Sequence, residues 1–297
     1  MSFKQRLLHP EARLAYLMML PASLFILLFM FYPVLHVVMM SIHDTTRLGH
    51  LRDFAGLRYY NETFSDPVFW RTIGRTVVWT VVAVLVKTIV GMIIALLLNQ
   101  PYRGRRFSRM LFIIPWASSV PISAIIWRWV LNHEFGLMNH TLKSLGIWAR
   151  PPVWLGEPLP AFISNLWVDT WIGIPFMALV FLAGMQGISA DLYESAEIDG
   201  AGALTKFSRI TLPGIRHIII IATLLSALWT FNDFNVVWIM TKGGPAGLTD
   251  ILITALYKSA FEWLRFSRAA VLAVVTFVVL MALALSYARL YFKGEND

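Results

Sequence analysis

Residues 193–213 read YESAEIDGAGALTKFSRITLP and join two long apolar stretches of the chain. The segment concentrates acidic residues and glycines, whereas the flanking stretches contain few charged residues. Just before it, Ser189 is a favourable helix N-cap, and Gly200 suits the left-handed turn that ends a helix. This spacing predicts one helix over 190–199 and a second short helix over 203–210, which together form a helix-turn-helix connection.

The flanking stretches are typical of a membrane protein. Of the 297 residues, 58% are hydrophobic and 14% are charged, a composition too apolar for one soluble core. A transmembrane helix needs about 20 mostly apolar residues. Six segments reach that length, at about 14–43, 76–99, 110–131, 159–187, 217–241 and 269–288. We therefore predict an all-α, polytopic membrane protein with six transmembrane helices, in which Pro213 begins the fifth because proline is tolerated in a first helical turn.

The distribution of basic residues sets the expected orientation. An even number of spans places both termini on one side, and the positive-inside rule selects that side. The short connection at 101–109, PYRGRRFSR, holds four arginines, which favours a cytoplasmic position for it, for both termini and for residues 188–212. The net charge of +8 is scattered over span ends, which indicates contact with lipid headgroups rather than nucleic acid. The sequence contains no cysteine, which excludes disulfides and thiolate metal sites.

Three charged residues, Lys87, Asp169 and Asp233, lie inside predicted spans. A charge near the bilayer centre costs about 2.5–3.5 kcal/mol on insertion scales, so each needs a partner or a function. From the sequence, they either line a transport pathway or form structural ion pairs between helices. Both interpretations stay open at this point.

Other candidate residues have simpler explanations. Three tryptophans, Trp167, Trp171 and Trp238, are expected to pack between helices or to anchor at the membrane surface. The histidines show no metal-binding spacing, and His36, alone on an apolar span, is expected to be a packing residue. The stretch SIHD at 41–44 is the nearest approach to a hydrolase constellation, and it has no companion motif.

The connection between the fourth and fifth spans also matches a known signature. Its ordered residues resemble the EAA signature of permease subunits from bacterial ABC importers, as follows: Glu194, Ser195, Ala196, Asp199, Gly200, Ala201, Phe207, Ile210, Leu212 and Pro213. Ser195 replaces the usual second alanine, a small-for-small change. The stretches FLAGMQGISADLYESAEIDGA (181–201) and FNDFNVVWIMTKGGP (231–245) extend the resemblance toward carbohydrate permeases of the maltose and glycerol-phosphate type.

The resemblance implies a type I ABC importer permease fold and a set of partners. It implies a heterodimer with a second permease, two ATP-binding subunits, an extracytoplasmic solute-binding protein and a place in the bacterial inner membrane. The EAA loop at 190–213 would seat in a cleft of the ATPase, through Glu194, Ala196, Asp199, Gly200 and Ala201. The resemblance also divides the chain into an N-terminal part with the first helix (1–73), a transport domain (74–288) and a cytoplasmic tail (289–297).

The fifth span is the expected place of the substrate. On a continuous helix, one stripe contains four side chains, Ser226, Trp229, Thr230 and Asp233. In carbohydrate permeases, equivalent positions line a mid-membrane sugar pocket, and hydroxyl, carboxylate and indole groups suit a sugar. On the same helix Asn235 points the opposite way, which favours helix-to-helix contact, and Asn232 is intermediate.

These features predict the permease subunit of an ATP-driven sugar importer, which needs membrane lipid and has no cofactor or metal of its own. The sequence has no GxxxxGK(S/T) phosphate loop, so ATP hydrolysis is expected in another chain and this chain is not expected to be an enzyme. The alternatives are a permease for a non-sugar solute such as glycerol-phosphate or, much less favoured, a membrane-embedded enzyme. A secondary transporter would be expected to show related halves.

Overall fold

The computed structural model describes residues 10–293. The described chain divides into two compact units, 10–66 with 256–275 and 67–255 with 276–293. From its sequence, the N-terminal stretch FKQRLL (3–8) is expected to form either a short amphipathic interfacial helix or a disordered basic tail. It lies outside the described residues, as do the last four residues of the predicted cytoplasmic tail.

The elements follow one another along the chain as helices with a single small sheet. The first part contains α1 (Pro10–Ile26), a π-helical turn (Leu27–Phe31), α2 (Tyr32–Ser41), β1 (His43–Thr45), β2 (Leu51–Phe54) and α3 (Arg58–Ser65). The middle contains α4 (Pro67–Asn99), α5 (Arg105–Ala117), α6 (Val120–Val130), α7 (Leu137–Ser144) and α8 (Pro158–Gln186). After it come α9 (Ala190–Ile198), α10 (Ala203–Lys206), a π-helical turn (Phe207–Thr211), α11 (Leu212–Gly214), α12 (Arg216–Phe231) and α13 (Phe234–Thr241). The described chain ends with α14 (Leu252–Tyr257), a π-helical turn (Lys258–Glu262) and α15 (Phe266–Lys293).

Most of the predicted spans are present as long helices. Five stretches are long and apolar enough to cross a membrane, namely Tyr16–Ser41, Pro67–Asn99, Pro158–Gln186, Arg216–Thr241 and Phe266–Phe292. A sixth crossing exists only if α5 and α6, which meet at an angle of 92°, are counted as one broken span. The prediction of an all-α fold holds apart from the antiparallel hairpin of β1 and β2.

The predicted third span, 110–131, is wrong as a single helix. Pro115 lies inside α5 and Pro121 in the first turn of α6, and Ser118 between them is extended, with φ −78° and ψ 151°. Proline lacks the backbone N–H that a helical ladder needs, and it disfavours a helical conformation of the preceding residue. The two prolines therefore permit a sharp bend where the apolar composition alone predicted a straight span.

The start of the fifth span also differs from the prediction. Pro213 does not begin it, because the residue lies in α11, at the end of an unbroken helical stretch that starts at Ala203. The long helix α12 begins only at Arg216, after Ile215 takes a non-helical conformation with φ −108° and ψ 12°. The π-helical turn that precedes α11 closes with a bond from the Leu212 N–H to the Phe207 carbonyl, immediately before the proline that cannot donate one.

The helices α4 and α8 form the centre of the larger unit and pack closely against each other. A Cβ atom built on Gly91 would lie 2.7 Å from the Cβ of Met177, so the absence of a side chain permits this approach. Two buried clusters lie along the pair, one around Trp79 and Val168 and the other around Met177 and Phe181. The two helices also carry buried charged residues, Lys87 on α4 and Asp169 on α8.

Candidate functional site

The fifth span is interrupted in the middle of its polar stretch. α12 ends at Phe231 and α13 begins at Phe234, with Asn232 and Asp233 in non-helical conformations between them. The Asp233 carboxylate accepts a hydrogen bond from the backbone N–H of Val236 at 3.2 Å. Asp233 is thus the N-cap of α13, where a side-chain oxygen satisfies an N–H group that the helix itself cannot.

The break opens onto a cavity of about 460 Å³ in the larger unit. All four residues of the predicted substrate stripe line it: Ser226, Trp229, Thr230 and Asp233. Ser226 and Thr230 are almost completely buried, whereas Trp229 remains 54% exposed. The structure therefore brings together the side chains that helical spacing predicted to share a face.

The position predicted for Asn235 is wrong. Asn235 lines the same cavity as Asp233, and so does Asn232. The prediction assumed one continuous helix, in which two positions apart means nearly opposite faces. Because the chain leaves the helical conformation at Asn232 and restarts at Phe234, the rotation about the helix axis is reset and Asn235 returns to the cavity.

Three aromatic side chains, Trp116, Phe176 and Trp229, form an aromatic wall of the cavity. The ring of Phe176 lies between two indoles, with its centroid 6.1 Å from that of Trp116 and 5.0 Å from that of Trp229. All three rings belong to cavity-lining residues. Sequence reasoning identified only Trp229, because Trp116 and Phe176 sit on apolar helices where an aromatic residue is ordinary and no local signal distinguishes them.

The two charges on α4 and α8 pair with each other. The Lys87 ammonium lies 2.6 Å from the Asp169 carboxylate, and each side chain is only 6% exposed. Lys87 also donates a hydrogen bond of 2.8 Å to the hydroxyl of Thr230. The indole of Trp79 donates to the backbone carbonyl of Thr230 at 2.9 Å. α4 is therefore linked to α8 by an ion pair and to Thr230 of α12 by two hydrogen bonds.

Lys87 and Asp169 form a buried ion pair, which confirms the structural interpretation. Both residues also line the cavity, and their place in a transport pathway stays a prediction. Gly173 provides the space for this arrangement. A Cβ atom built on Gly173 would lie 2.6 Å from Cε and 3.0 Å from Nζ of Lys87. A side chain at this position would therefore require the end of the lysine side chain to move.

The connection at 190–213 has the turn that its glycine predicts. α9 ends one residue earlier than predicted, and Gly200 has φ +77°. The Ala201 N–H bonds the Ala196 carbonyl at 2.8 Å, and the Gly200 N–H bonds the Glu197 carbonyl at 3.0 Å. These are the two bonds of a Schellman motif, which needs a left-handed residue at this position. Ser189 stands at the N-cap of α9, without a side-chain capping bond.

Two side-chain contacts hold the two halves of the connection together. The Lys206 ammonium pairs with the Glu197 carboxylate at 2.6 Å, and the Tyr193 hydroxyl lies 2.9 Å from that of Thr211. The hydrogen bond from Lys206, with its positive charge, lowers the pKa of Glu197. The predicted second helix is present as α10 followed by a π-helical turn rather than as one α-helix.

The side chains that point away from this framework are exposed, apolar and acidic. Ile198 is 88% exposed and Leu204 80% exposed. Glu194 and Asp199 are exposed as well. Exposed apolar side chains beside acidic ones are typical of a surface that binds another protein.

The chain matches known proteins over most of its length. Residues 87–293 match the model of a family described as the binding-protein-dependent transport system inner membrane component. The chain belongs to this family. It is the permease subunit of an ABC importer and not an enzyme.

The permease also resembles individual relatives over nearly its whole length. It is 35% identical over 287 residues to the trehalose/maltose transport system permease protein MalF of Thermococcus litoralis, which covers 96% of this chain and 95% of the relative. It is 32% identical over 287 residues to the lactose transport system permease protein LacF of Rhizobium radiobacter, which covers 95% and 94%. A crystal structure of a bacterial ABC transporter involved in import of the acidic polysaccharide alginate contains a chain with the same fold (TM-score 0.83, 22% identity, 95% and 96% covered).

The remaining sequence candidates of the permease pack as structural residues. Trp127 makes edge contacts with Trp167 and Trp171 at 6.1 Å and 5.4 Å, and Trp238 stacks on Phe234. His36 stacks on a tyrosine one helical turn away. Among residues 10–293, no cluster of three or more potential metal ligands occurs.

The SIHD stretch of the permease does not assemble into a catalytic arrangement. The Ser41 hydroxyl donates to the backbone carbonyl of Val38, and the His43 ring bonds the backbone carbonyl of Met39. Asp44 pairs with Arg58 instead of orienting the histidine. Each of the three side chains thus has its own partner, as expected for a structured segment at a span end.

Proposed function

We propose that the permease binds a sugar in the central cavity during import, through Ser226, Trp229, Thr230 and Asp233. The observation behind this proposal is the meeting of hydroxyl, amide and carboxylate groups with an aromatic wall at one site. Polar groups accept and donate hydrogen bonds to sugar hydroxyls, and aromatic faces cover the C–H face of a sugar ring. A volume of about 460 Å³ lies in the range of small-molecule sites.

The names of the relatives support a saccharide as the solute. One relative is named for trehalose and maltose and the other for lactose. The shared fold does not choose the solute, since a fold hosts different specificities through the residues of its site. A non-sugar solute such as glycerol-phosphate is the second candidate.

We further propose the assembly in which this permease acts. It pairs with a second permease, receives solute from an extracytoplasmic binding protein, and docks on two ATP-binding subunits through the loop at 190–213. Glu194, Ala196, Asp199, Gly200 and Ala201 lie at this contact. Residues 74–288 form the transport domain, between the N-terminal part at 1–73 and a tail at 289–297, and both termini face the cytoplasm of a bacterial inner membrane. The exposed apolar side chains of the loop support such a partner.

Purification and labelling test this assembly. We expect ATP-binding subunits and a second permease to co-purify with the affinity-tagged permease, and loop variants to weaken retention of the ATP-binding subunits. The chain has no native cysteine, so Ser208→Cys, which is exposed, reports the side of the loop directly. Labelling of this cysteine by an impermeant reagent outside intact cells would contradict the orientation.

The sugar site is tested with a pair of exposed tryptophans. Trp229→Ala removes an aromatic face of the cavity, and uptake of the transported sugar in a reconstituted complex should fall about tenfold, because a stacked aromatic is worth on the order of 1 kcal/mol or more. The control is Trp129→Ala, a residue that is 69% exposed and does not line the cavity. Equal uptake by the two variants would contradict the site.

A further inference from the structure

We infer that the cavity of this permease selects against anionic solutes and accepts an uncharged or positively charged sugar. The inference rests on the proposed function, since it concerns the same cavity, and it adds a charge rule to the choice of solute. It depends on which cavity charges are already neutralised inside the chain and which are not.

The positive charge of the cavity is committed to a partner. Lys87 pairs with Asp169 at 2.6 Å and donates to Thr230 at 2.8 Å. Its side chain passes over Gly173, so closely that a Cβ atom there would lie 2.9 Å from Cδ. Both charged side chains are only 6% exposed. Turning the ammonium toward a solute would leave the Asp169 carboxylate buried without a counter-ion, which is strongly unfavourable.

The second carboxylate of the cavity has no comparable cation. Asp233 accepts the Val236 N–H with Oδ1, a contact with a neutral group. Among the described residues that line the cavity, Lys87 is the sole lysine, and none is an arginine or a histidine. The cavity therefore holds two carboxyl groups, Asp169 and Asp233, and a single ammonium group, which is already paired.

A solute that carries a carboxylate or a phosphate therefore meets carboxyl groups and no free cation to balance its own charge. An anionic group of the solute and a carboxylate in one cavity repel each other, and this repulsion is larger in a site shielded from water than in bulk solvent. The hydroxyls of a neutral sugar instead donate hydrogen bonds to the Asp233 carboxylate. The arrangement favours a neutral sugar over a sugar acid or glycerol-phosphate.

The test uses probe pairs that differ in charge and little else. Maltitol and maltobionate both have an opened reducing-end ring, and they differ in a CH₂OH group against a carboxylate. Lactitol and lactobionate form a second such pair. Binding is measured by saturation-transfer NMR on the purified transporter complex in nanodiscs without its binding protein, so that the cavity and not the binding protein makes the selection.

The decisive variant is Asp233→Asn. Asparagine is as good an N-cap as aspartate, so the start of α13 is preserved while the charge is removed. We expect the wild-type complex to bind the alditol about tenfold or more tightly than the aldonate of the same pair, and Asp233→Asn to bring the two affinities close together. The control is Asp53→Asn, which removes an exposed charge on β2 and should leave the discrimination unchanged.

The possible results separate this inference from the proposed function. Equal binding of alditol and aldonate by the wild type, or unchanged discrimination in Asp233→Asn, would overturn the charge rule while leaving a sugar-binding cavity. Absence of binding by all four probes, together with sugar uptake that is insensitive to Trp229→Ala, would overturn the proposed sugar site itself.

Discussion

The cavity and the loop at 190–213 differ in how far their charged and apolar side chains are exposed. In the cavity, Lys87 and Asp169 are paired at 2.6 Å and only 6% exposed. In the loop, the backbone is fixed by the turn at Gly200, while Ile198 and Leu204 are 88% and 80% exposed. The buried charges of Lys87 and Asp169 are paired within the chain, whereas the loop presents apolar side chains that the described part of the chain leaves exposed.

This difference predicts different consequences of mutation. Changes at the cavity core should disturb the stability of the permease, because buried charges depend on each other. Changes at the loop should leave the permease folded and impair its coupling to the ATP-binding subunits. The following variants separate these two behaviours.

The largest effect is expected from Lys87→Met. This variant leaves the Asp169 carboxylate buried without its partner, which costs about 3–5 kcal/mol. We expect a loss of assembled complex and a large fall in its unfolding temperature, measured in detergent. The double variant Lys87→Met/Asp169→Leu removes both charges and should recover most of the stability. A single variant as stable as the wild type would show that the pair does not hold the cavity together.

A large effect on transport, without loss of folding, is expected from Gly200→Val. At φ +77° a left-handed conformation costs an L-residue about 1–2 kcal/mol, and a branched side chain fits it poorly. We expect normal insertion but at least about tenfold less uptake and substrate-stimulated ATP hydrolysis in the assembled complex.

Gly202→Ala is the matched control for the loop. A Cβ atom meets nothing within 4 Å at either glycine, but Gly202 has φ −70°, which any residue adopts. Gly202→Ala should therefore retain most of the activity. If Gly200→Val and Gly202→Ala behaved alike, the shape of the turn would be irrelevant to coupling.

An intermediate effect is expected at the helix break in the cavity. Asp233→Ala removes both a polar contact for the solute and the cap of α13, and uptake should fall about tenfold while basal ATP hydrolysis persists. Asn235→Ala removes only an amide from the same cavity, so uptake should fall less, by about threefold. Uptake assays on reconstituted complexes measure the effects of both variants. Full activity of both variants would show that the helix break is not part of the solute pathway.

The smallest effect is expected from the Glu197–Lys206 pair of the loop. Because the pKa of Glu197 is lowered in the folded loop, the contact stabilises the fold above the ordinary pKa of glutamate and is lost as the pH falls through the folded pKa. Carboxyl NMR should show Glu197 titrating below the usual range, and Lys206→Met should return it toward normal. At neutral pH, Glu197→Gln should change ATP hydrolysis less than about twofold, since exposed ion pairs contribute little. A titration at the ordinary glutamate value would contradict the contact.

The loop and the long spans were predictable because their signals are local. A glycine at the end of an acidic helix indicates its own turn, and the structure confirms φ +77° at Gly200. Apolar length indicates a membrane helix, and the structure has five helical stretches that are long and apolar enough to cross a membrane. The bend between α5 and α6 is a partial exception, since Pro115 and Pro121 are visible in the sequence but their combined effect depends on the packing of both helices.

The helical architecture and the family signature of the loop are readable from the amino-acid sequence, and so is the shared face of Ser226, Trp229, Thr230 and Asp233. The pairing of Lys87 with Asp169 rather than with Asp233, and the position of Asn235 at the cavity, are visible only in the folded molecule. Helical spacing predicts which residues share a face only within one continuous helix, so the prediction fails beyond a break in the helix. Which charge meets which is set by the distance between helices that are far apart in the sequence, and that distance exists only in the packed molecule.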